Sequence, residues 1–134
     1  MILVDTSAWV EFDRATGSAF DQRLAELIST NGDIAVTEPV LMEVLAGARD
    51  ERRAAELRRL LTSFEWIPAE TQTDFEGAAR VYRACRRDGI TPSGLIDCMI
   101  ASIAMRSNSS VLAADADFAL MSGIIPLALD SPNG

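Results

Sequence analysis

Four carboxylates in this chain stand where carboxylates are poorly accommodated. Asp5 ends the apolar run Ile2-Leu3-Val4. Glu43 interrupts Pro39-Val40-Leu41-Met42 and Val44-Leu45-Ala46, a segment apolar on every side. Asp97 is the only charged residue across 94–104, and Asp115 follows Val111-Leu112-Ala113 with Asp117 two residues on. Each has an ordinary explanation. Asp5 caps the next helix, a role Ser7 fills equally well; Glu43 sits on a solvated edge; Asp97 pairs with an arginine; and Asp115 or Asp117 caps a short helix. Taken together they converge, and converging carboxylates stay ionised only around a cation. Oxygen donors alone suit Mg²⁺ or Mn²⁺ rather than zinc. Carboxylates holding such an ion, with positions left for water and a phosphate oxygen, do phosphodiester hydrolysis with metal-activated water.

The remaining inventory narrows the chemistry. The 134 residues include 12 basic and 20 acidic ones, for a net charge of −8; there is no histidine, and every basic residue is an arginine. Without histidine there is no Ser-His-Asp or Cys-His machinery, and without lysine no Schiff base and no P-loop. A phosphatase with Asp5 as nucleophile wants a second aspartate two residues later, where Ser7 stands. A composition 49% hydrophobic and 24% charged is that of a globular protein, and the length suits a single domain spanning 1–134. The longest apolar run, 98–105, is too short to span a bilayer, and the N-terminus lacks a basic leader, so a cytoplasmic protein without membrane contact is expected. Cys85 and Cys98 lie in apolar, helical surroundings and are expected to be reduced packing thiols.

The elements that must position these acids follow from periodicity. Residues 2–4 read as a buried strand and 8–14 as a helix with Ser7 as its cap. Phe20, Leu24, Leu27 and Ile28 mark a second helix ended by Asn31-Gly32, and 34–36 a second strand. Pro39 opens a helix that stops near Gly47, and 50–61 forms another. A weak strand at 66–68 precedes helices over 73–87 and 95–105. A strand at 111–113, a short helix at 117–121 and a strand fragment at 125–127 complete the chain. Alternating short strands and helices imply an α/β fold with a short, mostly parallel sheet covered on both faces. Ligands then bind beyond the carboxyl ends of the strands, where Asp5 and Asp115 fall.

At these residues the sequence resembles the PIN domain. The match rests on Met-Ile-Leu-Val-Asp-Thr-Ser-Ala-Trp at the N-terminus, the Glu43 helix, Ser-Gly-Leu-Ile-Asp-Cys-Met-Ile-Ala-Ser around Asp97, and Leu-Ala-Ala-Asp-Ala-Asp-Phe. It is closest to the VapC-type ribonuclease toxins of bacterial toxin–antitoxin pairs, and it covers essentially the whole chain in order. The resemblance implies a three-layer α/β/α sandwich and an endoribonuclease dependent on Mg²⁺ or Mn²⁺. It also implies a homodimer neutralised by a small VapB-type antitoxin, in a heterotetramer or larger assembly. Asp5, Glu43, Asp97 and Asp115 match the acidic metal-site positions, with Asp117 close enough to substitute for Asp115. Thr6 or Ser7 matches the hydroxyl position beside the first aspartate, on the substrate side. The family's last motif often has a threonine in the strand where this chain has Ala113-Ala114.

A charge of −8 opposes passive capture of nucleic acid, so RNA must be held by particular arginines. Arg14, Arg49, Arg52, Arg53, Arg80, Arg83, Arg86 and Arg87 are available, and pairing with Asp50, Glu51, Glu56 and Glu76 is expected to occupy most of them. Arg86 and Arg87, close to the loop before Asp97, are the preferred RNA contacts. The apolar sides of the first three helices are expected to supply a dimer face and an antitoxin groove. The alternative is a catalytically inert interaction module of the same shape.

Overall fold

A computed structural model describes residues 1–132. Strands β1 (Ile2–Val4), β2 (Ile34–Val36), β3 (Glu65–Trp66) and β4 (Ser110–Leu112) form a parallel sheet in the order β3-β2-β1-β4. The register pairs Ile2 with Ile34 on one side and Val4 with Leu112 on the other. Successive strands therefore run outward from β1 to β3, and β4 returns to the opposite side of β1. The direction reverses between β1 and β4, where a doubly wound sheet opens a crevice at its carboxyl edge. Asp5 leaves β1 at that reversal, and Asp115 lies three residues past β4.

Seven helices flank the sheet in an α/β/α sandwich: α1 (Thr6–Asp13), α2 (Ala19–Ser29), α3 (Glu38–Ala46), α4 (Glu51–Leu61), α5 (Thr71–Arg87), α6 (Leu95–Arg106) and α7 (Ala116–Ser122). Helix α5 lies along α6, α1 packs on α2 and α3, and α3 also touches α4 and α6. The strands are buried on both faces, which explains their unbroken apolar composition: Leu3, Val4, Ala35, Val36, Val111 and Leu112 are all inaccessible. Trp9, Leu24, Leu57, Leu61, Ile100, Ile103 and Phe118 close over them, each such side chain worth roughly 1.5–3 kcal/mol of burial. Helix α6 is buried over most of its circumference, which is why its sequence shows no amphipathic period. Both cysteines are free and buried. No helix among the described residues is long and apolar enough to cross a membrane.

Several boundaries depart from expectation for local reasons. The first helix starts at Thr6 rather than Ala8, because Asp5 is its N-cap and Ser7 is already helical. Helix α5 starts at Thr71, two residues early. The third strand is shifted to Glu65–Trp66; Ile67 still donates its N–H to the Val36 carbonyl of β2 (2.9 Å), and Pro68, with no N–H, ends the pairing. No strand forms at 125–127; Leu129 instead makes a single parallel bridge to Val111. The apolar sides of the first three helices are mostly consumed by the core. Of the large exposed hydrophobic residues only Met42 lies on them or on α3, whereas Phe75, Leu95 and Leu120 lie on α5, α6 and α7.

Candidate active site

Asp5 shows how the sheet edge makes an acid available. Its N–H donates to the Leu112 carbonyl (2.9 Å), so the backbone is still held between β1 and β4 as the side chain emerges. The carboxylate is 2% exposed. Oxygen Oδ2 accepts from the Ser7 N–H (3.0 Å) and the Ser7 hydroxyl (2.6 Å), which caps α1. Oxygen Oδ1 is buried with no partner at all. Burial raises the Asp5 pKa to about 6 in spite of the bonds from Ser7, and the nearby Glu43 adds to the rise. One oxygen thus serves the fold, and the other is left for something the chain does not supply.

The same Ser7 hydroxyl accepts from the N–H groups of Ala114 (2.8 Å) and Asp115 (3.2 Å), tying the turn after β4 to Asp5. Asp115 caps α7 by accepting from the Asp117 N–H (2.9 Å). Glu43 comes from α3, half-buried, and its Oε1 accepts from the Thr6 hydroxyl (2.7 Å). Asp97 projects from the first turn of α6, whose N-cap Gly94 offers no side chain to compete for the site. Among the described residues no arginine bridges Asp97. Instead burial first, and then the neighbouring Asp5, Asp115 and Glu43, push its pKa up to about 8.

Asp117 stands apart in function. Its Oδ2 accepts from the Ser93 N–H (2.9 Å) and hydroxyl (2.7 Å), bonds that hold its pKa below the usual carboxylate range. Even so, carboxylate oxygens of Asp97, Asp115 and Asp117 lie within 4.8 Å of one another, close enough for one cation to engage. Asp5 and Glu43 border that group as electrostatic neighbours of Asp97. An orphaned buried oxygen, raised carboxyl pKa values and an all-oxygen donor set fit a hard divalent cation. Such a cation would offset the burial and mutual repulsion that raise the pKa values of Asp5 and Asp97.

The substrate-side residues divide. Thr6 and Ser7 both spend their hydroxyls on acids of the site, a role not visible in sequence, where only the Asp-Thr-Ser step after an apolar strand hinted at it. Arg86 and Arg87 are exposed at the end of α5 and make no ion pair among the described residues; the Arg86 guanidinium lies 5.8 Å from the Tyr82 ring centre. Pairing occupies fewer of the eight candidate arginines than expected: among the described residues only Arg49 on Asp50, Arg52 on Glu56, and Arg53 on Glu56 and Asp13 are paired, and Arg14, Arg80, Arg83, Arg86 and Arg87 are not. The bond from Ser93 to Asp117 is equally invisible in sequence, because nothing in a loop serine predicts a partner 24 residues on.

Comparison with known proteins adds an independent line. A family model described as PIN domain matches residues 2–124. A VapC ribonuclease of Mycobacterium bovis and ribonuclease VapC11 of Mycobacterium tuberculosis are each 41% identical over 128 residues, covering 95% of this chain and 96% of the relative. Among solved structures, VapBC2 from Rickettsia felis bound to a promoter DNA fragment superposes with a TM-score of 0.75 at 22% identity, over 97% of this chain and 98% of that one. VapC20 of Mycobacterium tuberculosis, a toxin that cleaves the sarcin–ricin loop, superposes with a TM-score of 0.67 at 22% identity, over 96% and 99%. At such identities the superpositions speak to the fold, while the sequence relatives and the family match cover nearly the whole chain. This chain belongs to the PIN domain family.

Proposed function

We propose that this chain is a metal-dependent endoribonuclease, the toxin of a VapBC-type pair acting in the cytoplasm. The observation that carries the reading is the buried, unpartnered Oδ1 of Asp5 facing a centre where Asp97 has only other acids for company. Asp5 and Asp97 would hold Mg²⁺ or Mn²⁺ directly, with Glu43 and Asp115 completing the set and Asp117 adjoining it. When bound, the cation supplies Lewis acidity that lowers the pKa of water and offsets charge on the scissile phosphate.

The chain's own residues do the positioning. Ser7 locks Asp5 and the Asp115 turn together, and Thr6 fixes the Glu43 carboxylate; through the acids they hold, these hydroxyls shape the substrate side of the site. Ser93 anchors Asp117 and so the approach to the first turn of α6. Arg86 and Arg87 supply phosphate contacts that the acidic centre cannot. No side chain of the centre is a nucleophile, so hydrolysis leaves a 5′-phosphate and a 3′-hydroxyl. Similar structures solved as VapBC complexes support neutralisation by a VapB-type antitoxin, here of a homodimer of this chain.

The test is incubation with total RNA and Mg²⁺ or Mn²⁺, with the chelated protein and Asp97→Asn alongside, followed by mapping of the cut ends. Cleavage with 5′-phosphate ends, lost in both controls, is expected. Full activity in Asp97→Asn contradicts the proposal, and an inert protein under every condition favours a non-catalytic module.

A further inference from the structure

The outer face of α5 carries charge that the rest of the molecule leaves unanswered. Arg80, Arg83, Arg86 and Arg87 are all exposed, and none forms an ion pair among the described residues. Of the other arginines, Arg23, Arg49, Arg52, Arg53 and Arg106 do, while Arg14, Arg58 and Arg59 are also exposed and unpaired among the described residues; α5 holds the largest group of such arginines on one helix. Glu76 precedes Arg80 by one turn yet does not engage it. The helix dipole explains arginines in the last turn, Arg86 and Arg87, but not Arg80 and Arg83.

Arg83 lines a cleft of about 460 Å³ between α5 and the segment entering α6, with Tyr82, Pro92, Ser93 and Leu95 among others, while Arg80 and Arg87 line a separate groove with Ser102 and Arg106. Leu95 is 58% exposed, a large apolar side chain held in water beside an aromatic ring. One lining residue ties the cleft to the carboxylate centre: the Ser93 hydroxyl donates to Asp117. An aromatic face, an apolar wall and free guanidiniums are what a stacked base between phosphates requires.

We propose that α5 is the RNA-docking helix of this protein. Arg80, Arg83 and Arg87 contact phosphates of the strand, and a base next to the scissile bond seats in the Tyr82–Leu95 cleft. The proposal rests on the ribonuclease reading and names how that site takes its substrate.

The test combines Arg80→Gln with Arg83→Gln, and separately makes Tyr82→Ala. Binding of a labelled single-stranded RNA is measured against salt concentration in the Asp97→Asn background with Mg²⁺. Hydrolysis of bis(p-nitrophenyl) phosphate with Mn²⁺, measured without the Asp97→Asn change, reports the metal centre alone. The double substitution is expected to lower the slope of log affinity on log salt by about 1.4, roughly 0.7 for each phosphate of the single strand that no longer meets an arginine. Tyr82→Ala should weaken binding without changing the slope, and the small diester should be cut as before by both variants. An unchanged slope and affinity in the double variant overturns the proposal. So does a loss of dimer mass in either variant, which would assign this face to a second copy of the chain. If the unsubstituted protein fails to cut the small diester and RNA alike, the nuclease reading falls, and the salt slope still decides the docking face.

Discussion

Helix α6 joins two regions that treat a buried acid in opposite ways. At its far end Asp74, fully inaccessible, is met on both oxygens by the Arg106 guanidinium (2.7 and 3.2 Å), by the Ser102 hydroxyl (3.0 Å) and by the Glu70 N–H (2.7 Å). Burial pushes the Asp74 carboxyl up, but these donors outweigh it and hold the group below its usual range. At the near end Asp5 and Asp97 have only a serine and other acids around them, and both are pushed up. One end of the helix is finished by the chain itself; the other is left with its acids uncompensated by any partner among the described residues. A buried carboxylate therefore indicates function where its compensation is missing, not where it is merely buried.

Substitutions at the two ends should have contrary effects. Asp97→Asn should lower RNA cleavage by roughly 10³-fold or more, the equivalent of the several kcal/mol that a bound cation contributes, while the metal-free protein melts at the same temperature or higher. Asp74→Ala leaves Arg106 with only the exposed Glu70 and the Pro68 carbonyl, and should destabilise the fold by about 2–4 kcal/mol in denaturant titrations. Two structural acids, or two functional ones, would give matching rather than crossed results.

The pH dependence sharpens the contrast. The folded-state pKa values of Asp5 and Asp97 lie above the unfolded value of 3.8, at about 6 and about 8. The folded chain then binds more protons than the unfolded one, so their contribution is full below pH 4 and is lost as pH rises towards 8. Metal-free protein should show a melting temperature that falls between pH 5 and pH 8, and Mn²⁺ should restore it. The lowered pKa of Asp74 acts the other way, holding stability above its unfolded value and releasing it in acid.

Smaller effects test the supports of each region. Ser7→Ala removes the link between Asp5 and the Asp115 turn and should weaken metal binding about 10–100-fold, read by calorimetry. Gly77→Ala places a methyl group 2.1 Å from the Ser102 hydroxyl oxygen, next to Asp74, and should cost about 1–3 kcal/mol of stability with cleavage unchanged.

Much of this arrangement is legible in the residues. The acids are conspicuous because an apolar strand and an apolar helix give a carboxylate no reason to be there, and the reversal of the sheet between β1 and β4 brings Asp5 and Asp115 together. The division of labour within Asp5 is not legible. Capping and cation binding read as alternatives in the sequence, whereas in the structure one oxygen of Asp5 caps α1 and the other is left without a partner. Nor does the sequence separate Asp115 from Asp117, since both sit at the start of α7 and only the position of Ser93 distinguishes them. The arginines of α4 and α5 look alike in sequence. Arg52 and Arg53 of α4 meet Glu56 and Asp13 of α1, whereas Arg58 and Arg59 of α4, like the arginines of α5, are exposed and unpaired among the described residues.

The central claim is that the carboxylates around Asp97 form one cation site that the fold leaves incomplete. Calorimetric titration of Mn²⁺ at pH 7, in buffers of different ionisation enthalpy, tests it most directly. Binding that releases protons, raises the melting temperature and disappears in Asp97→Asn is the predicted result. No binding, or binding indifferent to Asp97, would contradict it.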